Sequence, residues 1–173
     1  MGAGIHTEVE QYIDGEWVSF EEKVFPYFKH DGTIVMRSSP FECKNYELFG
    51  FLSDVRNYAC IPVIAERRGL PEVDQPDFGT GLDAIFMERD YEAWPLHTHN
   101  HSGTWLLVSE LMAYDYDTIF ENRRGDTIDT VPKGNGVLIT VRESIGDEYF
   151  EHLEILKSIG DPDKIRVIIS FDS

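Results

Sequence analysis

The chain has few basic residues and no long apolar run, and each shortage argues against a class of protein. Its 15 lysines and arginines stand against 32 acidic residues, so the formal net charge is −17. Such a charge repels nucleic-acid phosphates and anionic lipid surfaces, which argues against direct binding to nucleic acid or to a membrane. No apolar stretch approaches the roughly 20 residues that a membrane-spanning helix needs.

Cysteine is also scarce. Only Cys43 and Cys60 occur among 173 residues, and a chain of this length can bury a core without disulfide bonds. We therefore expect reduced thiols and a cytoplasmic location. The first residues, MGAGIHTEVEQ, have neither a basic start nor an apolar stretch, so we expect no secretory signal there.

The hydrophobic patterning predicts a single α+β domain over 1–173. Two alternating, β-rich runs, HTEVEQYI and EWVSFEEKVF, flank the two-residue turn signal Asp14-Gly15. A second turn at Asp31-Gly32 precedes the short run TIVMR. GVLITVRES is predicted to be a strand, and KIRVIISF is the best candidate for a central strand. This grouping of strands and helices indicates a mixed or antiparallel sheet.

Two to three helices are expected. Asn45 is a suitable N-cap for the first, whose apolar residues recur at helical spacing until the helix ends near Arg56. A short helix is predicted to begin at Glu110. A longer amphipathic helix is predicted to begin at Asp147 and to stop at Gly160.

A long central loop holds the cations on which the functional prediction depends. Arg56 and Asn57 end the first helix, and Arg67-Arg68 precede Gly-Leu-Pro within an irregular connection over 59–95. Connections of this length in compact domains are often functional. A guanidinium group suits phosphate or carboxylate recognition, and nearby aromatic side chains can stack on a ring. These features predict a site for an anionic, nucleotide-like ligand.

The same arginines also have structural explanations, which the sequence leaves open. Arg56 can balance the negative end of its helix. The pair Arg67-Arg68 can form ion pairs with the acidic loop 72–83. Arg166 lies in the predicted central strand, where burial would require a carboxylate partner.

The most direct chemical signal is the triplet His97, His99 and His101. At alternate positions of a strand the three imidazoles share one face, and imidazole is a common ligand for zinc, iron, copper or nickel. The alternative function is therefore a metal-dependent hydrolase of a nucleotide or other phosphorylated substrate, with a divalent transition metal as cofactor. The competing prediction gives His101 a structural role, in which its ring orients Ser102 and Trp105.

Nucleophilic catalysis is the remaining chemical class. Ser102 follows His101 directly, but alternation along a strand would turn the two side chains to opposite faces. No Gly-x-Ser-x-Gly elbow, phosphate-binding loop or dinucleotide fingerprint is present. The leading prediction is thus a binding protein without catalysis or cofactor. The predicted ligand-binding residues are Arg56, Asn57, Arg67, Arg68, His101, Ser102 and Trp105.

Short motifs in a fixed order carry a resemblance to a known family. They are Arg56-Asn57, Arg68-Gly69-Leu70-Pro71, His101-Ser102, Trp105-Leu106 and Phe171-Asp172. Together they resemble a family of small uncharacterised proteins that is common in tailed phages and in bacteria carrying phage genes. The resemblance implies a phage-type accessory protein in the bacterial cytoplasm, where ligand binding could sequester a host defence signal. A second alternative is an acidic inhibitor of a host protein, and a homo-oligomer is a further expectation.

Overall fold

The chain forms eight strands and four α-helices within residues 2–71 and 101–172, the parts that the computed structural model describes. The strands are β1 (Gly4–Ile13), β2 (Glu16–Ser19), β3 (Phe25–Phe28), β4 (Ile34–Arg37), β5 (His101–Leu107), β6 (Ile119–Asn122), β7 (Val137–Thr140) and β8 (Ile165–Asp172). The helices are α1 (Tyr46–Ser53), α2 (Val108–Ala113), α3 (Val141–Ile145) and α4 (Asp147–Ile159). The predicted α+β class is confirmed, and the strand pairs in the described residues are antiparallel.

Strand β8 is the centre of the main sheet, whose order is β2-β1-β8-β5. It pairs with β1 from Gly4 opposite Asp172 onwards, and with β5 as far as Leu107 opposite Arg166. Its core-facing side chains are completely buried: Val167, Ile169 and Phe171. The prediction of KIRVIISF as the central strand is therefore confirmed.

The two predicted turns close two hairpins. Asp14 and Gly15 have φ angles of 51° and 86°, the left-handed pair that a tight turn between β1 and β2 requires. The turn at Asp31-Gly32 joins β3 to β4, which form a separate two-stranded sheet. A third hairpin, β6–β7, forms another two-stranded sheet.

Helix α1 is capped as predicted. The Oδ1 atom of Asn45 accepts hydrogen bonds from the N–H groups of Glu47 and Leu48, at 3.0 and 3.2 Å. Two of the amides that a helix start leaves unpaired are thereby satisfied. The helix ends at Ser53, slightly before the predicted end near Arg56.

The prediction of GVLITVRES as one strand is wrong in its second half. Strand β7 stops at Thr140, and α3 begins at Val141. The Oγ1 atom of Thr140 accepts the N–H of Glu143, and Oε2 of Glu143 accepts the N–H of Thr140, both at 3.1 Å. This capping box satisfies two amides at once, so a helix begins where β-rich composition alone favours a strand.

Helix α4 joins the main body to the β3–β4 hairpin through a buried histidine that the sequence did not reveal. The Nδ1 atom of His152 accepts the N–H of Phe41 at 3.0 Å, and Nε2 lies 2.9 Å from the carbonyl oxygen of Pro26. Both contacts are hydrogen bonds when Nε2 carries the proton. The buried residues of the helix are Tyr149, His152, Leu153 and Leu156.

The two cysteines are free thiols in different surroundings. Cys43 is half-buried, and burial, aided by the charge of Glu148, raises its pKa to about 12. Cys60 is exposed and has a left-handed φ of 57°. The expectation that the thiols are unpaired is confirmed. Among the described residues, no helix has the length and hydropathy to cross a membrane.

Replacing His152 with alanine should destabilise the protein strongly. The change leaves the N–H of Phe41 and the carbonyl of Pro26 without their partner and opens a cavity, which together cost about 4 kcal/mol of unfolding free energy. Urea unfolding followed by circular dichroism measures the loss. A matched His30→Ala change at an exposed turn should cost less than about 0.5 kcal/mol. Equal stability of the two variants would contradict this role of His152.

Candidate functional site

The structure separates the predicted site residues into two groups. Arg56 and Asn57 lie in the loop that follows α1, whereas Arg68 and Trp105 meet at the edge strand β5. Arg67 is exposed. The single cationic pocket that the sequence predicted is therefore not formed by all of these residues together, and each group has its own geometry.

Arg68 fastens the loop to β5. Its guanidinium makes a two-pronged ion pair with Glu110, in which Nη1 lies 2.7 Å from Oε2. Its Cζ lies 4.7 Å from the ring centroid of Trp105, and its backbone N–H donates to Thr104 at 3.2 Å. The hydrogen bonds of the pair raise the pKa of Arg68 and lower the pKa of Glu110. The structural explanation thus applies to Arg68, with Glu110 as a carboxylate partner, and the predicted pairing with the loop 72–83 lies outside the described residues.

Arg166 has the carboxylate partner that its strand position requires. Its Nε and Nη2 atoms lie 2.7 and 2.6 Å from Oε2 of Glu10, and both side chains are only 11% exposed. Its Cζ lies 4.1 Å from the ring centroid of Trp17 and 5.6 Å from that of Trp105. Two tryptophans and the guanidinium groups of Arg166 and Arg68 therefore alternate across one face of the main sheet, where each arginine is neutralised.

Asn57 shapes the loop after α1. Its Oδ1 atom accepts the N–H of Ile61 at 2.9 Å, and its Nδ2 donates to the carbonyl of Ile61 at 3.0 Å and to Asp54 at 2.9 Å. A Cβ atom at Gly50 would lie 2.7 Å from Oδ1 of Asn57, so the glycine inside α1 makes room for this side chain. Asn57 holds the turn that presents Arg56.

An open cavity of about 480 Å³ lies at the N-terminal end of α1. We call it the α1 groove, and its lining residues are Lys44, Asn45, Tyr46, Glu47 and Arg124. Its volume falls within the range of small-molecule sites. The sequence analysis missed Lys44 and Arg124, because nothing in a linear pattern indicates that residues so far apart meet.

Arg56 lies next to the α1 groove, where it contacts the lining residue Tyr46. Its Cζ lies 5.7 Å from the Tyr46 ring centroid, and the Cζ of Arg124 lies 5.6 Å from the same centroid. Arg124 is paired with both carboxylate oxygens of Glu47 at 2.8 Å, whereas Arg56 forms no ion pair with any described residue. The groove lining holds two cations, Lys44 and Arg124, against the carboxylate of Glu47, a local net charge of +1. Arg56, at the ring of Tyr46, adds a further positive charge next to the lining.

Backbone strain marks Arg56 as well. Its φ is 47°, in the left-handed region that non-glycine residues avoid at a cost of about 1–3 kcal/mol. Strain of this kind persists where surrounding contacts impose it and is concentrated at functional positions. The conformation places an unneutralised guanidinium beside an aromatic ring in an otherwise acidic protein.

A bulge at the start of β5 brings His101 and Ser102 into contact. The register with β8 shifts between His101 and Thr104, and Ser102 has a φ of 57°. As a result, Nδ1 of His101 lies 2.8 Å from Oγ of Ser102. The expectation that these side chains point to opposite faces is wrong, because the bulge interrupts the alternation of the strand.

Two members of the histidine triplet, His97 and His99, lie outside the described residues. The third, His101, is the first residue of β5, and its ring contacts the hydroxyl of Ser102. Within residues 2–71 and 101–172, no three histidine, cysteine or acidic side chains are grouped to hold a metal ion. The metal site stays a prediction.

The Arg68–Glu110 pair should make stability depend on pH in the acid range. The folded protein lowers the pKa of Glu110, so the stabilisation is complete above the ordinary carboxyl pKa and is lost as pH falls through the lowered value. The Arg68→Gln variant should therefore lose less stability than the wild type between about pH 6 and pH 3. Urea unfolding at each pH measures this, with Arg67→Gln as the charge-matched control. Parallel curves for wild type and Arg68→Gln would contradict it.

Comparisons with protein-family models, with curated proteins and with solved structures find no match to this chain. The resemblance to the phage family therefore stays a prediction. Two of its motifs do lie together: a Cβ atom at Gly103 would be 2.6 Å from Cγ of Leu70, so the Arg-Gly-Leu-Pro turn packs directly on the strand that His101-Ser102 begins.

Proposed function

We propose that the protein binds an anionic, ring-containing small ligand of the nucleotide class in the α1 groove. The observation that carries the proposal is the guanidinium of Arg56, which contacts the groove-lining ring of Tyr46 and has no carboxylate partner among the described residues. In a chain of net charge −17, such a cation favours an anion from solution.

The groove offers both kinds of contact that a nucleotide needs. Lys44 is exposed and supplies a point charge, and the fork of Arg56 can donate two parallel hydrogen bonds to one phosphate. The ring of Tyr46 in the groove lining provides aromatic surface for the base, and the ring of Tyr58 lies next to it, with the two centroids 6.4 Å apart. Acidic residues more than about 8 Å from the groove repel a bound anion only weakly, since salt screens charges over that distance.

This set differs from the one that the sequence predicted. Arg56 is retained, and Arg68 and Trp105 are replaced because they are engaged with Glu110 and with each other. In the groove lining both carboxylate oxygens of Glu47 are paired with Arg124, which makes this carboxylate a poor general base. That pairing supports binding without turnover in the groove.

We also propose that the ligand is a nucleotide signal of the host cell, which a phage-type protein would sequester. This step rests on the resemblance carried by the short motifs and on the ligand class that the groove fits. The panel of ligands should therefore include cyclic mono- and dinucleotides as well as nucleoside phosphates.

Removing the charge of Arg56 should weaken binding. Calorimetric titration of the wild type with the panel identifies the nucleotide that binds, and the Arg56→Gln variant should then bind it about 10- to 100-fold more weakly, the value of a charge-assisted hydrogen bond. Lys29→Gln removes one charge from an exposed turn and should leave affinity unchanged. Arg68→Gln should also bind normally, which separates the α1 groove from the site first predicted from the sequence.

The absence of binding across the panel, or equal affinity of wild type and Arg56→Gln, would overturn the proposal. Two other results would point to the alternative functions. Bound transition metal in elemental analysis would favour the hydrolase, and salt-sensitive capture of a basic host protein would favour the inhibitor.

A further inference from the structure

The bulge at the start of β5 suggests a chemistry separate from the α1 groove. We propose that Ser102 is a nucleophile and His101 its proton acceptor, forming a site for acyl transfer from small esters. The two residues stand in direct contact, and three features of the bulge support the assignment.

The first is the contact itself. Oγ of Ser102 lies 2.8 Å from Nδ1 of His101, the separation of a nucleophile from its general base. Oγ–H donates to Nδ1 when the imidazole carries its own proton on Nε2. Neighbouring residues of a regular strand cannot make this contact, so it exists because of the bulge.

The second is the backbone of Ser102. A φ of 57° costs a non-glycine residue about 1–3 kcal/mol, and the strain must be balanced by contacts nearby. The hydroxyl of Ser53, a completely buried residue at the end of α1, donates to the carbonyl oxygen of Ser102 at 2.8 Å. This hydrogen bond fixes the backbone of Ser102. The nucleophilic serine of hydrolases with a nucleophile elbow likewise sits on strained backbone, although there the turn leads from a strand to a helix.

The third is the small residue that follows. Ser102 and Gly103 lie in the part of β5 where the register with β8 shifts. A Cβ atom at Gly103 would lie 2.6 Å from Cγ of Leu70, so only glycine fits at this position without movement. The glycine therefore lets the side chain of Leu70 pack against the backbone next to Ser102.

The proposed reaction balances with these two side chains and water. Oγ of Ser102 attacks the ester carbonyl carbon, and its proton passes to Nδ1 of His101. The bond between that carbon and the leaving oxygen breaks, and the leaving alcohol takes the proton from the imidazole. Water then attacks the acyl-serine by the same route in reverse and releases the carboxylic acid.

The expected rate is low. Among the described residues, no carboxylate forms a hydrogen bond with His101. Loss of the orienting acid from a serine protease triad lowers turnover by about 10⁴-fold, and a pair without that acid should react correspondingly slowly. Covalent labelling detects such a nucleophile more directly than turnover does.

The test uses the full chain and a fluorophosphonate probe, which forms an Oγ–P bond at a nucleophilic serine and releases fluoride. Intact mass and peptide mapping should show one adduct, on Ser102. The Ser102→Ala variant should give none. In His101→Gln, which keeps a side chain of similar size but cannot take the proton, labelling should be at least about 100-fold slower. Ser158→Ala, at an exposed position in α4, should label as the wild type does.

The outcomes separate the proposal from a merely structural contact. No adduct at Ser102 of the folded wild type after prolonged incubation would overturn it, as would labelling of His101→Gln at the wild-type rate. Because peptide mapping of the adduct is carried out on the wild type, the absence of an adduct at Ser102 would count whether or not the variants fold. Thermal unfolding of each variant shows that the folded protein is being compared.

Discussion

The position of β8 between two paired strands is the constraint on which the rest of the structure depends. Its partners come from distant parts of the sequence, β1 near the start and β5 after the long connection. Each fully buried aliphatic or aromatic side chain of β8 contributes about 1.5–3 kcal/mol of transfer free energy. Because this burial requires both neighbouring strands, formation of β8 becomes favourable only when β1 and β5 are paired with it. Folding should therefore wait for long-range pairing, as it does in other proteins rich in such contacts.

The same constraint positions the two sites. Pairing with β8 fixes where β5 begins, and the register shift there generates the bulge at Ser102. The core beneath the sheet holds α1, whose first residue, Tyr46, lines the groove and whose last, Ser53, contacts the bulge. At 1.5 Å per residue these ends are about 10 Å apart along the helix axis, so one rigid element supports both.

The arginines show why charge along a sequence does not identify a binding site. Arg68, Arg124 and Arg166 are each neutralised by a carboxylate that lies far from it in the chain. Arg56 alone among the four has no such partner in the described residues. A guanidinium engaged by a carboxylate has little left to offer an anion, so the distinction between structural and free arginines arises only on folding.

Local signals made most of the fold predictable. The turn at Asp14-Gly15, the cap at Asn45 and the apolar run of β8 each act through neighbouring residues, and each occurs as expected. At Thr140 the local signals conflict: the β-rich composition of GVLITVRES favours a strand, whereas Thr140 and Glu143 form a capping box that begins a helix. The meeting of Lys44 with Arg124 and the bulge at Ser102 depend on tertiary pairing, which no local pattern encodes.

The two thiols differ in burial, which allows a fluorescent label to be attached to one of them in the wild-type chain. A thiol reacts with maleimides as its thiolate, and a pKa of about 12 leaves Cys43 almost entirely protonated at neutral pH. Cys60 is exposed and lies four residues after Arg56, in the same loop. A fluorophore should therefore attach selectively at Cys60, where its emission would follow changes at Arg56 without any engineered cysteine.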